Sequence, residues 1–390
     1  MKIKKQTTKL LLLLLCIFTV QFAKAQSSTT GANYISTAVP FLTISPDSRA
    51  GAMGDAGVAT SPDINSMHWN PAKFAFIENE VGVAVSYTPW LRELVDDMNL
   101  AYLTGFLRLD RNQVLATSLR YFTLGEIQFT DAMGTTLSNQ KPYELALDVA
   151  YSRQLSDYLS GGIAFRYIRS DLTQGQNVAG IATQAGNAFA ADVSVYYQKD
   201  FRMNRRDMVW SWGINISNIG SKISYTDDDE KEFIPTNLRL GTALKMELDR
   251  YNTITFTTDI NKLLVPTPQN GSLDEDSNIP VVGGIKSDKS VMSGIFGSFS
   301  DAPGGFSEEL KELTFSLGTE YWYQEQFAIR AGYFYEHQDK GNRKYFTAGL
   351  GVKLNMFAID FSYLLPTNQN NPLQNTLRFT LSANLDDVIK

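Results

Sequence analysis

Tyr143-Glu144-Leu145-Ala146-Leu147-Asp148-Val149-Ala150-Tyr151-Ser152 places a large apolar side chain at every second position. Tyr143, Leu145, Leu147, Val149 and Tyr151 share one face, and Glu144, Ala146, Asp148, Ala150 and Ser152 share the other. Side chains alternate across a strand, so this is a β-strand with one greasy and one wet side. Its length matches the roughly 9–11 residues that a tilted strand needs to cross a bilayer. In hydrocarbon a sheet must close on itself, because an open edge would leave backbone N–H and C=O groups unpaired. The expected fold class is therefore all-β, a transmembrane outer-membrane β-barrel.

Outward from that stretch the same alternation predicts about 14 antiparallel strands. They run over 81–87, 98–108, 113–123, 143–154, 159–169, 187–198, 208–218, 237–248, 252–261, 313–323, 326–336, 344–354, 356–365 and 376–385. An even number is the rule for single-chain bacterial barrels. The connections alternate too. Those at 109–112, 155–158, 199–207, 249–251, 324–325 and 355 are short; 88–97, 124–142, 170–186, 219–236, 262–312, 337–343 and 366–375 are mostly long. Barrels of this class have short periplasmic turns and longer extracellular loops. Tyr87, Trp90, Tyr121, Trp322, Tyr323, Tyr335 and Tyr363 crowd the strand ends, where aromatic girdles belong.

Residues 1–25 read as a signal peptide. Lys2, Lys4, Lys5 and Lys9 precede the apolar run Leu10 to Val20, and Ala23-Lys24-Ala25 is an A-x-A cleavage site. Cys16, the only cysteine, lies in that run, so no mature disulfide or thiolate nucleophile is expected. Removing these residues takes five lysines and no acids, which leaves 30 basic against 41 acidic residues, a net charge of −11. An acidic balance argues against a nucleic-acid partner. The domain plan is a signal peptide at 1–25, an N-terminal plug segment at 26–79 and a barrel at 80–390.

The plug segment shows little strand pattern. Gly51, Gly54 and Gly57, among Ala50, Ala52, Ala56 and Ala59, form a small-residue tract, and Asn70-Pro71-Ala72 marks a turn. Catalytic chemistry is nearly absent from the sequence. Of the two histidines, His68 and His337, the latter sits in a polar loop without a partner at ligand spacing. Asp227-Asp228-Asp229-Glu230 and Asp274-Glu275-Asp276 lack the glycine and spacing of a calcium loop. Gly283-Gly284 and Gly304-Gly305 precede no phosphate-binding helix pattern. No catalytic, cofactor-binding or metal residues are assigned, and the protein is expected not to be an enzyme. The inward charges Asp148, Arg166, Asp192, Arg239, Asp259, Glu320, Arg330, Asp360 and Arg378 fit either a permeation path or pairs across a filled lumen.

The 262–312 connection is the most suggestive functional element, since loops beyond about 15 residues tend to be lids or binding loops. Val291, Met292, Ile295, Phe296, Phe299 and Phe306 make it apolar. Two readings stand: a surface that grips a partner, or a loop folded into the barrel mouth and packed on itself.

With a glycine tract, Asn70-Pro71-Ala72 and 14 strands, the chain resembles the FadL-type outer-membrane family, whose barrels hold an N-terminal plug with an Asn-Pro-Ala motif. More narrowly, Ala38-Val39-Pro40-Phe41-Leu42-Thr43-Ile44-Ser45-Pro46-Asp47-Ser48-Arg49-Ala50-Gly51-Ala52-Met53-Gly54-Asp55-Ala56-Gly57 is similar to the corresponding stretch of the PorV family of the type IX secretion system. That resemblance implies a shuttle and attachment-complex component. Its implied partners are secreted proteins with a C-terminal signal domain, the type IX translocon barrel, the PorU sortase attachment complex and outer-membrane lipid. The competing readings are a FadL-type channel for hydrophobic small molecules and an outer-membrane lipid-modifying enzyme.

Overall fold

Alternation becomes a wall in the computed structural model, which describes residues 34–130, 136–176, 182–226, 231–268, 289–368 and 371–386. All of these belong to one unit, Asn33–Lys390. The signal peptide with Cys16, Asp227 to Glu230, Asp274 to Asp276 and Gly283-Gly284 lie outside the described residues.

Among the described residues there are sixteen strands: β1 (Val81–Pro89), β2 (Asn99–Arg108), β3 (Gln113–Thr123), β4 (Ile127–Thr130), β5 (Thr136–Gln140), β6 (Tyr143–Ser156), β7 (Leu159–Asp171), β8 (Gly186–Met203), β9 (Arg206–Gly220), β10 (Asn237–Glu247), β11 (Asn252–Leu263), β12 (Thr314–Tyr323), β13 (Phe327–Tyr335), β14 (Lys344–Leu354), β15 (Phe357–Pro366) and β16 (Leu377–Asn384). Fourteen form a closed antiparallel barrel, sealed where β1 pairs with β16 from Gly82↔Asn384 to Tyr87↔Phe379. The expected strands are all there.

The greasy face points outward. Val85, Leu103, Leu147, Val149, Phe165, Phe189, Leu350 and Leu381 are exposed on the barrel exterior, where only lipid can cover them. Their sequence neighbours are buried, Ser382 being half-buried. Lipid contact on one face and enclosure on the other is what the period of two requires.

Three details depart from the sequence expectation. The 124–142 connection contains the small hairpin β4–β5. The described residues of the 262–312 connection include two short helices, Val291–Gly297 and Phe306–Lys311. The 199–207 turn is far tighter than expected, because β8 runs on to Met203 and β9 starts at Arg206. Asn204 (φ 53°) and Arg205 (φ 63°) alone make the bend. Two consecutive left-handed residues suit the twist of a two-residue hairpin, although this chain supplies no glycine there.

Candidate functional site

The segment from Tyr34 to Asn79 lies inside the barrel and descends from the long-loop end toward the short-turn end. At the top, the Ala38 amide donates to the Phe233 carbonyl (3.0 Å), and Phe41 stacks on Phe122 of β3 at 6.2 Å between centroids. At the bottom, Phe74 packs on Phe106 of β2, and the Asn79 side chain reaches Asp386 at 2.7 Å.

The glycine tract works through close approach. A Cβ on Gly54 would stand 2.7 Å from the Tyr333 backbone, and its φ of +69° already disfavours side chains. Gly51 and Gly57 are equally crowded, by Arg378 and by the Trp69 ring. Asn70 is a clamp. Its Oδ1 accepts from the Ala72 amide (3.1 Å), capping the turn Pro71–Phe76, while Nδ2 donates to the carbonyls of Val58 (3.1 Å) and Val195 on β8 (3.0 Å). Proline at the first position of that turn gives up no hydrogen bond. Ser152 and Ser160 donate to the Pro71 and Ala72 carbonyls at 2.5 and 2.7 Å. All six glycine-tract and Asn-Pro-Ala residues therefore seat this segment against itself or the wall.

Pairing describes most of the inward charges. Glu320 on β12 takes the Arg49 guanidinium (Nη2–Oε1, 2.8 Å) and the Arg330 guanidinium (Nε–Oε2, 2.7 Å), and Arg330 reaches on to Asp360 at 2.6 Å. Arg166 bridges Asp148 and Asp192. Asp259 accepts from the amides of Gly57 (2.7 Å) and Val58 (2.9 Å), and Arg378 lies 3.5 Å from Asp55. Buried ion pairs and hydrogen bonds of this kind rigidify the contents of the barrel.

A centre that the sequence did not single out surrounds His68. Arg120 contacts its Nδ1 at 2.7 Å and donates to the Leu42 carbonyl at 2.9 Å. From the other side Arg239 donates to the His68 carbonyl at 2.8 Å and lies 3.4 Å from Nε2. Burial, reinforced by the charges of Arg239 and Arg120, holds the His68 imidazole well below its ordinary pKa, so the ring is neutral. Asp47, which caps the turn Ser48–Gly51 and accepts from Trp69 Nε1 at 2.6 Å, is pushed up to about 6 by burial and then by Asp63. Alternation puts Arg120 on the inward face, but nothing local names its partner.

At the long-loop end the described part of the 264–313 connection has a buried side and an exposed side. Ile295 is 8% exposed and faces inward, and Gly294 sits against Phe233 and Pro266. Met292 (55%), Phe296 (71%), Phe299 (50%) and Phe306 (76%) face out, joined by Leu310, while Val291 is half-buried. Beneath them a buried ion cluster anchors the second helix. Lys262 reaches Glu309 (2.9 Å) and Glu312 (2.6 Å), and Lys340 reaches Glu308 (2.7 Å) and Glu312 (3.0 Å). A cavity of about 430 Å³ opens below this rim, lined by Tyr34, Ser45, Trp69, Arg239, Glu312 and Arg343 among others.

His337 lies in the neighbouring 336–343 loop, where its Nδ1 accepts from the Asp339 amide at 3.2 Å. Partial burial lowers its pKa. Among the described residues no three His, Cys, Asp or Glu side chains converge as a metal site.

Comparison with known proteins adds an independent line. The chain is similar to the crystal structure of the Pseudomonas putida toluene transporter TodX, with 10% identity, a TM-score of 0.51 and coverage of 91% of this chain and 98% of that one. It is also similar to a Pseudomonas aeruginosa FadL homologue, with 10% identity, a TM-score of 0.43 and coverage of 90% and 99%. At such identities the likeness to TodX speaks to the fold, a FadL-type barrel. No curated protein sequence matches the chain. Residues 27–270 match the family described as Type IX secretion system protein PorV.

Proposed function

The chain belongs to the PorV family of type IX secretion system proteins, and from that premise we propose that it is an outer-membrane shuttle that grips secreted cargo at its extracellular rim. The cargo would carry a C-terminal signal domain. It would be received from the type IX translocon barrel and passed to the surface attachment complex containing the PorU sortase. The reading is of a binding protein, not an enzyme.

The observation that carries it is the outward row of Met292, Phe296, Phe299, Phe306 and Leu310. Large apolar side chains gathered on a water-facing loop mark an interaction surface. Aromatic anchors commonly dominate binding energy, at roughly 2 kcal/mol or more each. The ion cluster of Lys262, Lys340, Glu309 and Glu312 seats this row on the barrel rim, which limits the ordering cost of binding.

The channel alternative is weakened by the lumen itself. Ion pairs and their hydrogen bonds occupy the interior, and every barrel strand is paired on both sides. A lipid-modifying enzyme would need a nucleophile near His337, whose hydrogen bond goes to its own loop.

The test uses the full-length protein, extracted in mild detergent, with Phe296→Ser, Phe299→Ser and Phe306→Ser combined. Co-purified secreted proteins should fall at least tenfold while heat-modifiable migration on gels shows an intact barrel. Undiminished capture by a folded variant would overturn the proposal.

A further inference from the structure

The cavity below the rim holds one guanidinium with no direct ion pair, Arg239, which feels the acids Asp259 and Asp192 only without contact. Its ionisable lining comprises Asp55, Arg239, Glu312, Glu336, Lys340 and Arg343. Asp55 faces Arg378, Glu312 is shared by Lys262 and Lys340, and Glu336 is bound by Arg343. Among the described residues Arg239 alone of the six has no ion-pair partner. Its contacts are the neutral His68 carbonyl and imidazole, and its guanidinium lies over the Trp69 ring at 5.1 Å.

A guanidinium carries five N–H donors in a planar fork. Here Nη1 and Nη2 meet His68, and the guanidinium carbon lies over the Trp69 ring. Arg239 is only 6% exposed, and an enclosed charge without a direct ion pair is costly. Ser45, 3% exposed on the same cavity, has an Oγ without a hydrogen-bond partner. A buried cation and a free hydroxyl on one cavity open to the outside are the parts of an anion site.

We propose that this cavity binds a carboxylate-bearing ligand, entering from the extracellular mouth, with Arg239 as its charge partner and Ser45 as an added donor. A carboxylate matches the guanidinium fork in shape and charge. A dianionic phosphate suits the cavity less, because Asp55, Glu312 and Glu336 share its wall. The volume of about 430 Å³ falls within the range of small-ligand pockets. The site is separate from the rim patch and does not rest on its role in cargo capture. The carboxylate can come from a chain end or from a small free acid.

The experiment titrates the full-length protein in detergent with acetyl-Gly-Ser-Gly as the free acid, with its C-terminal amide, and with sodium acetate, by calorimetry at millimolar ligand. The free acid should bind at least tenfold more tightly than the amide. Arg239→Gln should erase that preference and Ser45→Ala should weaken it severalfold, in variants that retain heat-modifiable migration. Arg239→Lys keeps the charge without the fork and should restore part of the preference if Arg239→Gln fails to fold. Acetate that displaces the peptide identifies small acids as sufficient ligands; acetate that does not, beside a peptide that binds, identifies a chain end. Equal binding of acid and amide, binding of neither, or a preference untouched in folded Arg239→Gln would overturn the inference.

Discussion

Arg49 of the lumenal segment and Glu320 of β12 meet in a two-pronged ion pair, with Nε–Oε2 at 2.9 Å and Nη2–Oε1 at 2.8 Å. The two residues are 271 positions apart in sequence, and both side chains are nearly enclosed. The same carboxylate holds Arg330, so one acid ties the barrel's contents to its wall through two cations.

Glu320→Ala should therefore take a carboxylate from two guanidinium groups at once, leaving Arg49 only Asp63 and Arg330 only Asp360. Breaking a buried pair from one side costs about 3–5 kcal/mol. The temperature at which the barrel loses its compact gel mobility should drop clearly, whereas exposed Glu325→Ala should leave it unchanged.

Gly332→Ala probes how tightly the segment fits. A Cβ there would lie 2.1 Å from the Gly54 amide nitrogen, a clash that no rotamer relieves. Overpacking costs about 1–3 kcal/mol where neighbours can shift, and here the neighbours are backbone. We expect poor assembly or a displaced segment, read as new protease cleavage between residues 34 and 79. Gly161→Ala, whose nearest contact would be an ordinary 3.5 Å, is the control.

The rim helix should come loose when its central acid is removed. Glu312→Ala takes one carboxylate from both Lys262 and Lys340 and an acceptor from Thr267. Proteolysis within 289–312 should rise at least tenfold while the barrel keeps its heat-modifiable migration. Equal cleavage rates would mean that other contacts hold the helix.

His68 sets a pH dependence. Its folded pKa lies below the unfolded value of about 6.5. The unfolded chain therefore binds the extra proton, and stability falls as pH drops through that value. The limiting slope is about 1.4 kcal/mol per pH unit for one group. Asp47, raised to about 6, acts in the opposite sense, since its contribution against folding grows as pH rises from the ordinary carboxylate range toward 6. Comparing wild type with His68→Gln between pH 7 and pH 5 isolates the histidine: the wild type should lose more stability on acidification. Parallel curves would mean that His68 takes up its proton equally in the folded and unfolded states.

Much of the wall was legible because strand alternation is local. Tyr143 to Ser152 declares its own two faces without reference to any other segment. The tight Asn204–Arg205 turn was not legible, since neither residue is glycine and a left-handed bend is supplied here by the strands on either side. The helices Val291–Gly297 and Phe306–Lys311 were also missed, being too short to show a helical period. The apolar residues of that connection were visible, but which face out and which pack inward was not. Ile295 and Phe296 are adjacent, yet one is buried and the other exposed.

By itself the amino-acid sequence determined a lipid-facing barrel of 14 strands, because greasy-and-wet alternation and loop length are properties of neighbours along the chain. Only the tertiary structure decided what the lumen contains. Parity says that Arg120, Arg166, Arg239 and Arg330 point inward, but partnership depends on which strand stands opposite across the barrel. Closure brings Asp148 and Glu320 to two of these cations and sets neutral His68 between the other two. That difference, invisible along the chain, separates the paired charges from Arg239.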